Sequence, residues 1–211
     1  MEKLVKGFLK FHNEVFEDKK ALFTKLSNNQ SPRALFITCS DSRVDPTLLT
    51  QTDPGELFIL RNAGNMVPPY GFMQGSSTAT IEYAVAVLKV PHIIVCGHTD
   101  CAVMKALLNP EEVKDLPAVD AWVSQAETTR RIMREHHHDC DQGERLIITT
   151  QENVRAQLDN IRTHPSVAVQ LRKGNVELHG WVYSISTGDI WVYDFNSEQF
   201  VLMTDMIGDG K

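Results

Sequence analysis

Two short clusters of this sequence contain side chains that bind metal ions. His98 and Cys101 are separated by two residues, and Cys39 lies in a cluster much earlier in the chain. Two thiolates and one imidazole suit zinc, and three protein ligands leave a fourth position for water, as in catalytic zinc sites. A single His-x-x-Cys spacing is common by chance, however, and free cysteine is among the most buried residue types. The spacing alone therefore leaves open a plain core role for these residues.

The elements that must position these clusters are predicted to be buried strands. Short apolar runs at 34–38, 57–60 and 92–96 are typical of such strands, and each run ends in a polar cluster. Cys96 lies inside the third run, and we assign it to the core. The carboxyl ends of parallel strands meet at one edge of a sheet, where α/β proteins build their sites. We therefore expect the clusters to converge.

Helical patterns separate these runs. Predicted helices cover 4–23, 78–88, 102–108, 120–136 and 152–158. The alternation indicates an α/β fold with a mostly parallel central sheet flanked by helices. After residue 176, two β-rich runs around 186–189 predict a C-terminal β hairpin. We expect a single domain over 1–211, in which 1–30 form an N-terminal amphipathic helical arm that extends onto a partner subunit.

The composition narrows the class of protein. With 211 residues, 42% of them hydrophobic, the chain can bury one sizeable core, and its net charge of −6 without a basic run argues against a nucleic-acid partner. The first twenty residues mix charges of both signs, so we expect no signal peptide or membrane segment and a cytoplasmic protein. In that reducing compartment the four cysteines are free thiols or metal ligands.

Three segments resemble, in order and spacing, the signature segments of the β-class carbonic anhydrases. These are CSDSRVDP at 39–46, RNAGNMVPP at 61–69 and GHTDC at 97–101, and ATIEYAV at 79–85 and LHGWVY at 178–183 extend the resemblance. The resemblance implies a zinc lyase, carbonate dehydratase, that reversibly hydrates CO2 to bicarbonate and a proton by attack of zinc-bound hydroxide on CO2. It further implies one Zn2+ per subunit, bound by Cys39, His98 and Cys101.

The resemblance also implies a dyad of Asp41 and Arg43 beside the metal. If Arg43 keeps Asp41 ionised, Asp41 can accept the hydrogen of the hydroxide and orient it. In some members of the family the equivalent aspartate instead binds zinc and closes the site. In the family that closed state accompanies a bicarbonate pocket that contains a Trp. This sequence has Phe36 at the Trp position, although Arg61 and Tyr183 match other positions of the pocket. We therefore expect an open, water-bearing zinc near neutral pH.

The substrate pocket should be mostly apolar, because CO2 offers only weak acceptors. The resemblance implies five residues around it, which are Gln30, Phe58, Ala63, Tyr83 and Ala102. Two of them depart from the family pattern. Val is frequent where Ala63 stands, and Gly is usual where Ala102 stands. The methyl group of Ala102 would either crowd a backbone amide that faces the substrate or stiffen the start of the following helix.

Other functions remain open at this stage. The same zinc site could hydrolyse carbonyl sulfide or carbon disulfide, or the chain could be a non-catalytic zinc-binding relative. Intact Asp41 and Arg43 argue against the last alternative, because a structural metal needs no such dyad. The apolar N-terminal helix needs a surface to cover, and the resemblance implies that relatives exchange such helices. We therefore expect a homodimer or homotetramer.

Two further polar features are open to competing interpretations. Asp100 is expected to be a solvated or helix-capping side chain, with proton export as the alternative role. His136, His137 and His138, followed by Asp139 and Cys140, suggest a second metal site. Three successive histidines cannot all face one ion on a helix, so we predict a polar loop there instead.

Overall fold

The N-terminal unit of the chain is helical. In the computed structural model, which describes residues 1–72, 75–137 and 141–207, the chain forms two compact units, Met1–Ser31 and Pro32–Lys211. In the first unit α1 (Glu2–Lys10) continues through a π-helical turn (Phe11–Val15) into the short helices α2 (Phe16–Asp18) and α3 (Lys20–Leu26). The predicted helix over 4–23 is thus confirmed, apart from a break at Lys19.

Aromatic packing holds the N-terminal unit together. The ring of Phe23 on α3 stacks on Phe16 at 5.3 Å between centroids and meets Phe11 edge-on at 5.9 Å. In contrast, α1 has no buried residue, and its apolar side chains Leu4 and Phe8 are 69% and 62% exposed. The amphipathic helix therefore keeps an exposed apolar face within the N-terminal unit.

A mixed sheet forms the centre of the second unit. Among the described residues it has six strands in the order β2-β1-β3-β4-β5-β6. The strands are β1 (Ala34–Cys39), β2 (Leu57–Asn62), β3 (His92–His98), β4 (Glu177–Tyr183), β5 (Ile190–Asp194) and β6 (Gln199–Leu202). The strands β1 to β4 pair in parallel, and β5 pairs antiparallel with both β4 and β6. The mostly parallel sheet and the hairpin of β4 and β5 are confirmed, whereas β6 was not predicted.

Helices flank this sheet. They are α4 (Pro46–Thr50), α5 (Ser76–Glu82), α6 (Ala102–Leu108), α7 (Pro117–Val123), α8 (Glu127–His136), α9 (Gln142–Arg162), α10 (Pro165–Arg172) and α11 (Met203–Ile207). The prediction of α6 is confirmed, and the predicted helix over 78–88 consists of α5 and a π-helical turn, Tyr83–Val87. No helix within the described residues is long and apolar enough to cross a bilayer.

Two of the predicted helices were wrong in extent. The single helix predicted over 120–136 is two helices, α7 and α8, joined by a 3-10 turn, Ser124–Ala126. The chain bends there because the two helices contact different segments. The Trp122 indole of α7 donates to the Ala63 carbonyl at 2.7 Å, whereas α8 packs on α9. The helix predicted over 152–158 extends to 21 residues as α9. The part left out of the prediction contains the buried, β-branched polar residues Thr149 and Thr150, which are poor helix formers and interrupt the apolar period.

The main core lies between the sheet and α9. Val154, Leu158 and Ile161 of α9 pack on strand residues that include Leu35, Ile93 and Val182. Glycine permits this approach, since a Cβ on Gly97 would lie 2.9 Å from Thr150 Cγ2. The opposite sheet face holds Phe36, Ile94 and Cys96. Cys96 is thus a core residue as predicted, and burial raises the pKa of its thiol to about 12.

Candidate metal centre

The sheet brings the three predicted metal ligands together. Cys39 and His98 are the last residues of the adjacent strands β1 and β3, and Cys101 is the N-cap residue of α6. Asp100 has a positive φ of 60°, which turns the chain sharply between His98 and Cys101. The ligand atoms of the three residues are all within 4.8 Å of one another, and all three residues are buried.

His98 presents one ring nitrogen that has no protein partner. Its Nδ1 donates to the carbonyl oxygen of Thr99 at 2.9 Å, and its Nε2 is buried without a hydrogen bond. Leaving a buried nitrogen unpaired is costly, and a metal ion would satisfy it. The bond to Thr99 places the proton on Nδ1 and the free lone pair on Nε2, as metal-binding imidazoles require. The site therefore fits a metal ion.

The two thiols share a polar environment. The Gly64 N–H donates to Cys39 Sγ at 3.3 Å. The Cys101 thiol, with His98 and Gly64, lowers the pKa of Cys39 to about 4 despite its burial. The pKa of Cys101 is raised, because it faces the Cys39 thiolate and is itself buried. A metal ion binds the deprotonated form of both groups, and a donor set of two sulfurs and one nitrogen suits Zn2+.

Asp41 lies beside this group and is held by Arg43. The Arg43 Nε and Nη2 donate to Asp41 Oδ1 and Oδ2 at 3.0 and 2.8 Å, and the Arg43 backbone N–H donates to Oδ1 at 2.9 Å. These bonds hold the pKa of Asp41 well below its usual range. Asp41 Oδ2 is 3.9 Å from His98 Nε2, so the carboxylate reaches the space that the ligand atoms face.

Two further side chains brace this dyad and its loop. Arg43 also donates from Nη1 to Asp100 Oδ2 at 2.9 Å, and Asp100 pairs with Lys105. Arg61 donates from Nε to the Cys39 carbonyl at 3.0 Å and from Nη2 to the Asp41 carbonyl at 2.7 Å. Asp100 is therefore a half-exposed, ion-paired residue, as the expectation of a solvated side chain allows, and the N-cap residue of α6 is Cys101. No sequence signal pointed to its contact with Arg43, which is 57 positions away.

Comparison with known proteins agrees with this geometry. The family model of carbonic anhydrases matches residues 34–190. A carbonic anhydrase of Pseudomonas aeruginosa is 47% identical over 97% of this chain and 93% of its own length. This chain belongs to the β-carbonic anhydrase family. The characteristic reaction of the family is the reversible hydration of CO2, and its members depend on zinc.

Other relatives of this β-carbonic anhydrase agree in sequence and in fold. Carbonic anhydrase 1 of Escherichia coli O157:H7 is 46% identical over 95% of this chain and 91% of its own length. The solved β-carbonic anhydrase CcaA is 41% identical, with a TM-score of 0.94 over 96% of this chain and 98% of its own. A structure described as one of two tetrameric β-carbonic anhydrases of Sordaria macrospora is 31% identical, with a TM-score of 0.82 over 90% and 95% of the two chains.

Two of the five expected substrate residues border the ligand group. Ala63 begins the turn that follows β2, and Ala102 is the exposed first residue of α6. The turn and α6 are in contact, because a Cβ on Gly64 would lie 2.7 Å from Val103 Cγ1. The same Gly64 donates its N–H to Cys39. Both alanines therefore belong to segments that adjoin the ligands.

Two other expected substrate residues, Phe58 and Tyr83, lie away from the ligand group. Phe58 and Tyr83 pack on each other, with ring centroids 6.1 Å apart. Phe58 aligns with Leu35 at the start of the β1–β2 ladder, whereas Cys39 aligns with Asn62 at its end. Four residues of strand separate Phe58 from Asn62, which is about 13 Å. Within one chain neither ring is brought to the ligands. Gln30 is exposed and belongs to the N-terminal unit.

Only part of the histidine-rich segment can be described. His136 is the last residue of α8, and His137 follows the helix. The remaining residues, 138–140, lie outside the described part of the chain. The predicted polar loop therefore remains a prediction.

Proposed function

We propose that this β-carbonic anhydrase reversibly hydrates CO2 with one tightly bound Zn2+ per subunit, held by Cys39, His98 and Cys101. The observation that carries the proposal is the convergence of these three buried ligand atoms within 4.8 Å, with His98 Nε2 left without a partner. When bound, the ion supplies a Lewis acid that lowers the pKa of water to about 7. Residues of the chain itself orient the reacting groups and form the pocket.

Asp41 orients rather than transfers a proton. Its carboxylate has a pKa far below neutral, because Arg43 bonds both oxygens, so it carries no proton at pH 7. Such a carboxylate only accepts hydrogen bonds. Oδ2 lies 3.9 Å from His98 Nε2 and can therefore accept a hydrogen from a donor held in the space before the ligands. Asp41 would fix the direction of that donor's lone pair.

The contacts around Asp41 support an open site near neutral pH. Three hydrogen bonds from Arg43 would have to break before the carboxylate could turn onto the metal. Phe36 is buried and meets Trp181 edge-on at 5.8 Å between centroids. The Nε and Nη2 groups of Arg61 donate to the backbone carbonyls of Cys39 and Asp41. A bicarbonate pocket built around these positions would have to release those donors.

The substrate pocket requires a second copy of the chain. Ala63 and Ala102 adjoin the ligands, and we assign them to the pocket wall. Phe58 and Tyr83 lie too far along the sheet to serve the ligands of their own chain. We propose that they and Gln30 complete the pocket of a partner subunit in a homodimer or homotetramer. The exposed apolar face of α1 and the tetrameric description of the Sordaria macrospora enzymes support an oligomer.

The state of the cysteines supports a reducing compartment. In the described part of the chain Cys39, Cys96 and Cys101 form no disulfide. Disulfides are rare in the cytosol and common outside it. We therefore propose that the enzyme acts in the cytoplasm.

The decisive experiment measures tightly bound zinc and CO2 hydration from about pH 6 to 9, the range around the pKa of zinc-activated water. Cys39→Ala and His98→Gln should lose the zinc that survives dialysis and, with it, the hydration activity. Cys96→Ala is the matched control, since Cys96 is an equally buried thiol on the neighbouring strand, and it should keep both. Asp41→Asn should keep the zinc and lose most of the activity. A wild-type protein that holds zinc without hydrating CO2 would refute the proposed reaction.

A further inference from the structure

A second group of metal-type ligands lies at the other end of the sheet. His92 is the first residue of β3, and Glu177 is the first residue of β4. His92 Nδ1 and His179 Nε2 are 3.1 Å apart, and Glu177 Oε2 lies 3.7 Å from the first and 3.9 Å from the second. Along β3, His92 is six positions from His98, or about 20 Å, and Ile94, with which His179 aligns, is four positions from it, or about 13 Å. The group therefore shares no atom with the catalytic centre.

Strand register fixes this arrangement. In the parallel ladder of β3 and β4, His92 aligns with Glu177, and Ile94 aligns with His179. Alternate residues of a strand share one face, so all three side chains project from the same face of the sheet. The Glu177 N–H donates to the Pro91 carbonyl at 2.9 Å, which fixes the start of β4 against β3. The convergence thus comes from rigid backbone.

We propose that His92, Glu177 and His179 form a second metal site for a divalent cation of the Zn2+ type. Two imidazoles and one carboxylate are zinc ligands, and they leave a fourth position for water. Ligand bonds of 2.0–2.1 Å in a tetrahedron place the ligand atoms about 3.3 Å apart. The three separations, 3.1, 3.7 and 3.9 Å, lie close to that spacing. Glu177 Oε2 would have to move closer to the two imidazole nitrogens by about 0.4 and 0.6 Å to reach it.

The surroundings allow an ion to enter and to stay. The side chains of His92, Glu177 and His179 are 45%, 69% and 32% exposed, so the ligands are reachable from solvent. Burial, and then the proximity of His92, lower the pKa of His179, which keeps its imidazole in the neutral form that binds metal. The Glu177 carboxylate supplies negative charge. Without sulfur, the site should bind Zn2+ more weakly than the Cys2His centre and remain separable from it.

Equilibrium dialysis of the zinc-loaded enzyme against added Zn2+ tests this site. At a free Zn2+ concentration of about 100 µM, wild type should bind a second equivalent per subunit. His92→Gln and His179→Gln should each bind only the tight equivalent, with CO2 hydration unchanged. Glu177→Gln should weaken the second site by about tenfold. Glutamine keeps a hydrogen-bonding group, and unchanged thermal midpoints will confirm folding of the variants.

The other histidine-rich segment provides the matched control. A variant in which His136, His137 and His138 are all changed to Gln should retain the second equivalent. The proposed site is refuted if wild type takes up only one equivalent, if His92→Gln and His179→Gln retain two, or if the triple variant loses the second. Tight zinc and CO2 hydration, measured in the same samples, report on the catalytic centre separately.

Discussion

Arg43 donates three hydrogen bonds to the carboxylate of Asp41, from its backbone N–H, Nε and Nη2. Its remaining terminal nitrogen bonds Asp100, which precedes Cys101. The guanidinium therefore joins the loop after β1 to the loop after β3. Since the first loop begins directly after Cys39 and the second ends at Cys101, one side chain sets the spacing of two metal ligands and the direction of the nearby carboxylate.

Replacing Arg43 by Lys should test this double role. An ammonium group cannot reproduce the planar fork that bonds two carboxylates. We expect kcat/KM for CO2 hydration to fall by about 10- to 100-fold, the range for residues that orient metal-site groups. Arg33→Lys is the control, because Arg33 forms a surface pair with Glu56. Equal activity in the two variants would show that the fork is dispensable.

Arg61 should govern zinc retention more than the chemical step. It donates to the backbone carbonyls of Cys39 and Asp41 and touches neither carboxylate oxygen nor sulfur. Arg61→Ala removes both bonds and should loosen the end of β1, where Cys39 lies, and the loop that follows it. We expect zinc to be lost to a chelator about tenfold more readily, with little change in kcat of the zinc-saturated enzyme. A chelation curve identical to that of wild type would contradict this.

The parts of the fold that depend on local pattern were predictable. The strands ending near Cys39 and His98 are short apolar runs, and their parallel order follows from the helices between them. The ligand group then follows, because adjacent parallel strands end at the same edge. The residues of the dyad came from the family resemblance, and in the structure their side chains are hydrogen-bonded to each other.

What local pattern does not encode is contact between distant segments. Asp100 meets Arg43 only because the ends of β1 and β3 are adjacent. The N-terminal half of α9 was missed because it contains Thr149 and Thr150, β-branched polar residues that are poor helix formers. Both are buried, and Thr150 packs against Gly97 of β3. Buried polar residues of this kind look like surface residues in a sequence.

Gly97 should be required for both packing and metal binding. Its position next to His98 places it under α9, where a Cβ would lie 2.9 Å from Thr150 Cγ2 and 3.0 Å from Val154 Cγ2. Gly97→Ala should lower the free energy of unfolding by about 1–3 kcal/mol through overpacking and weaken zinc binding. Thermal unfolding at fixed zinc concentration measures this. Gly75→Ala, where the added Cβ meets nothing within 4 Å, should cost less than about 1 kcal/mol.

The methyl group of Ala102, where the family usually has Gly, either stiffens the start of α6 or crowds the substrate. Because Ala102 is the exposed first residue of α6, we expect its methyl group to stabilise the helix rather than to crowd the substrate. Ala102→Gly should leave the CO2 hydration rate unchanged and lower the free energy of unfolding by up to about 1 kcal/mol. A faster variant would instead place the methyl group in the path of the substrate.

His164 should make stability depend on pH. It is buried, its Nε2 donates to the Pro68 carbonyl at 3.0 Å, and burial lowers its pKa. Histidine in the unfolded chain has a pKa of about 6.5. Below that pH the unfolded state binds a proton at His164 more readily than the folded state does. The contribution of neutral His164 is complete above about pH 6.5 and is lost as the pH falls toward its lower folded pKa. The free energy of unfolding should then decrease by at most about 1.4 kcal/mol per pH unit from this residue.

The variant His164→Gln isolates that contribution. Its amide nitrogen can still donate toward Pro68, but it does not titrate. Denaturant unfolding of both proteins at about pH 7.5, 6.5 and 5.5, a range that brackets the titration of unfolded histidine, gives the two slopes. Other titratable groups, His179 and the metal ligands among them, act equally in both proteins and cancel in the difference. The slope of the variant should be smaller below pH 6.5, and parallel curves would mean that His164 is protonated as readily in the folded chain as in the unfolded one.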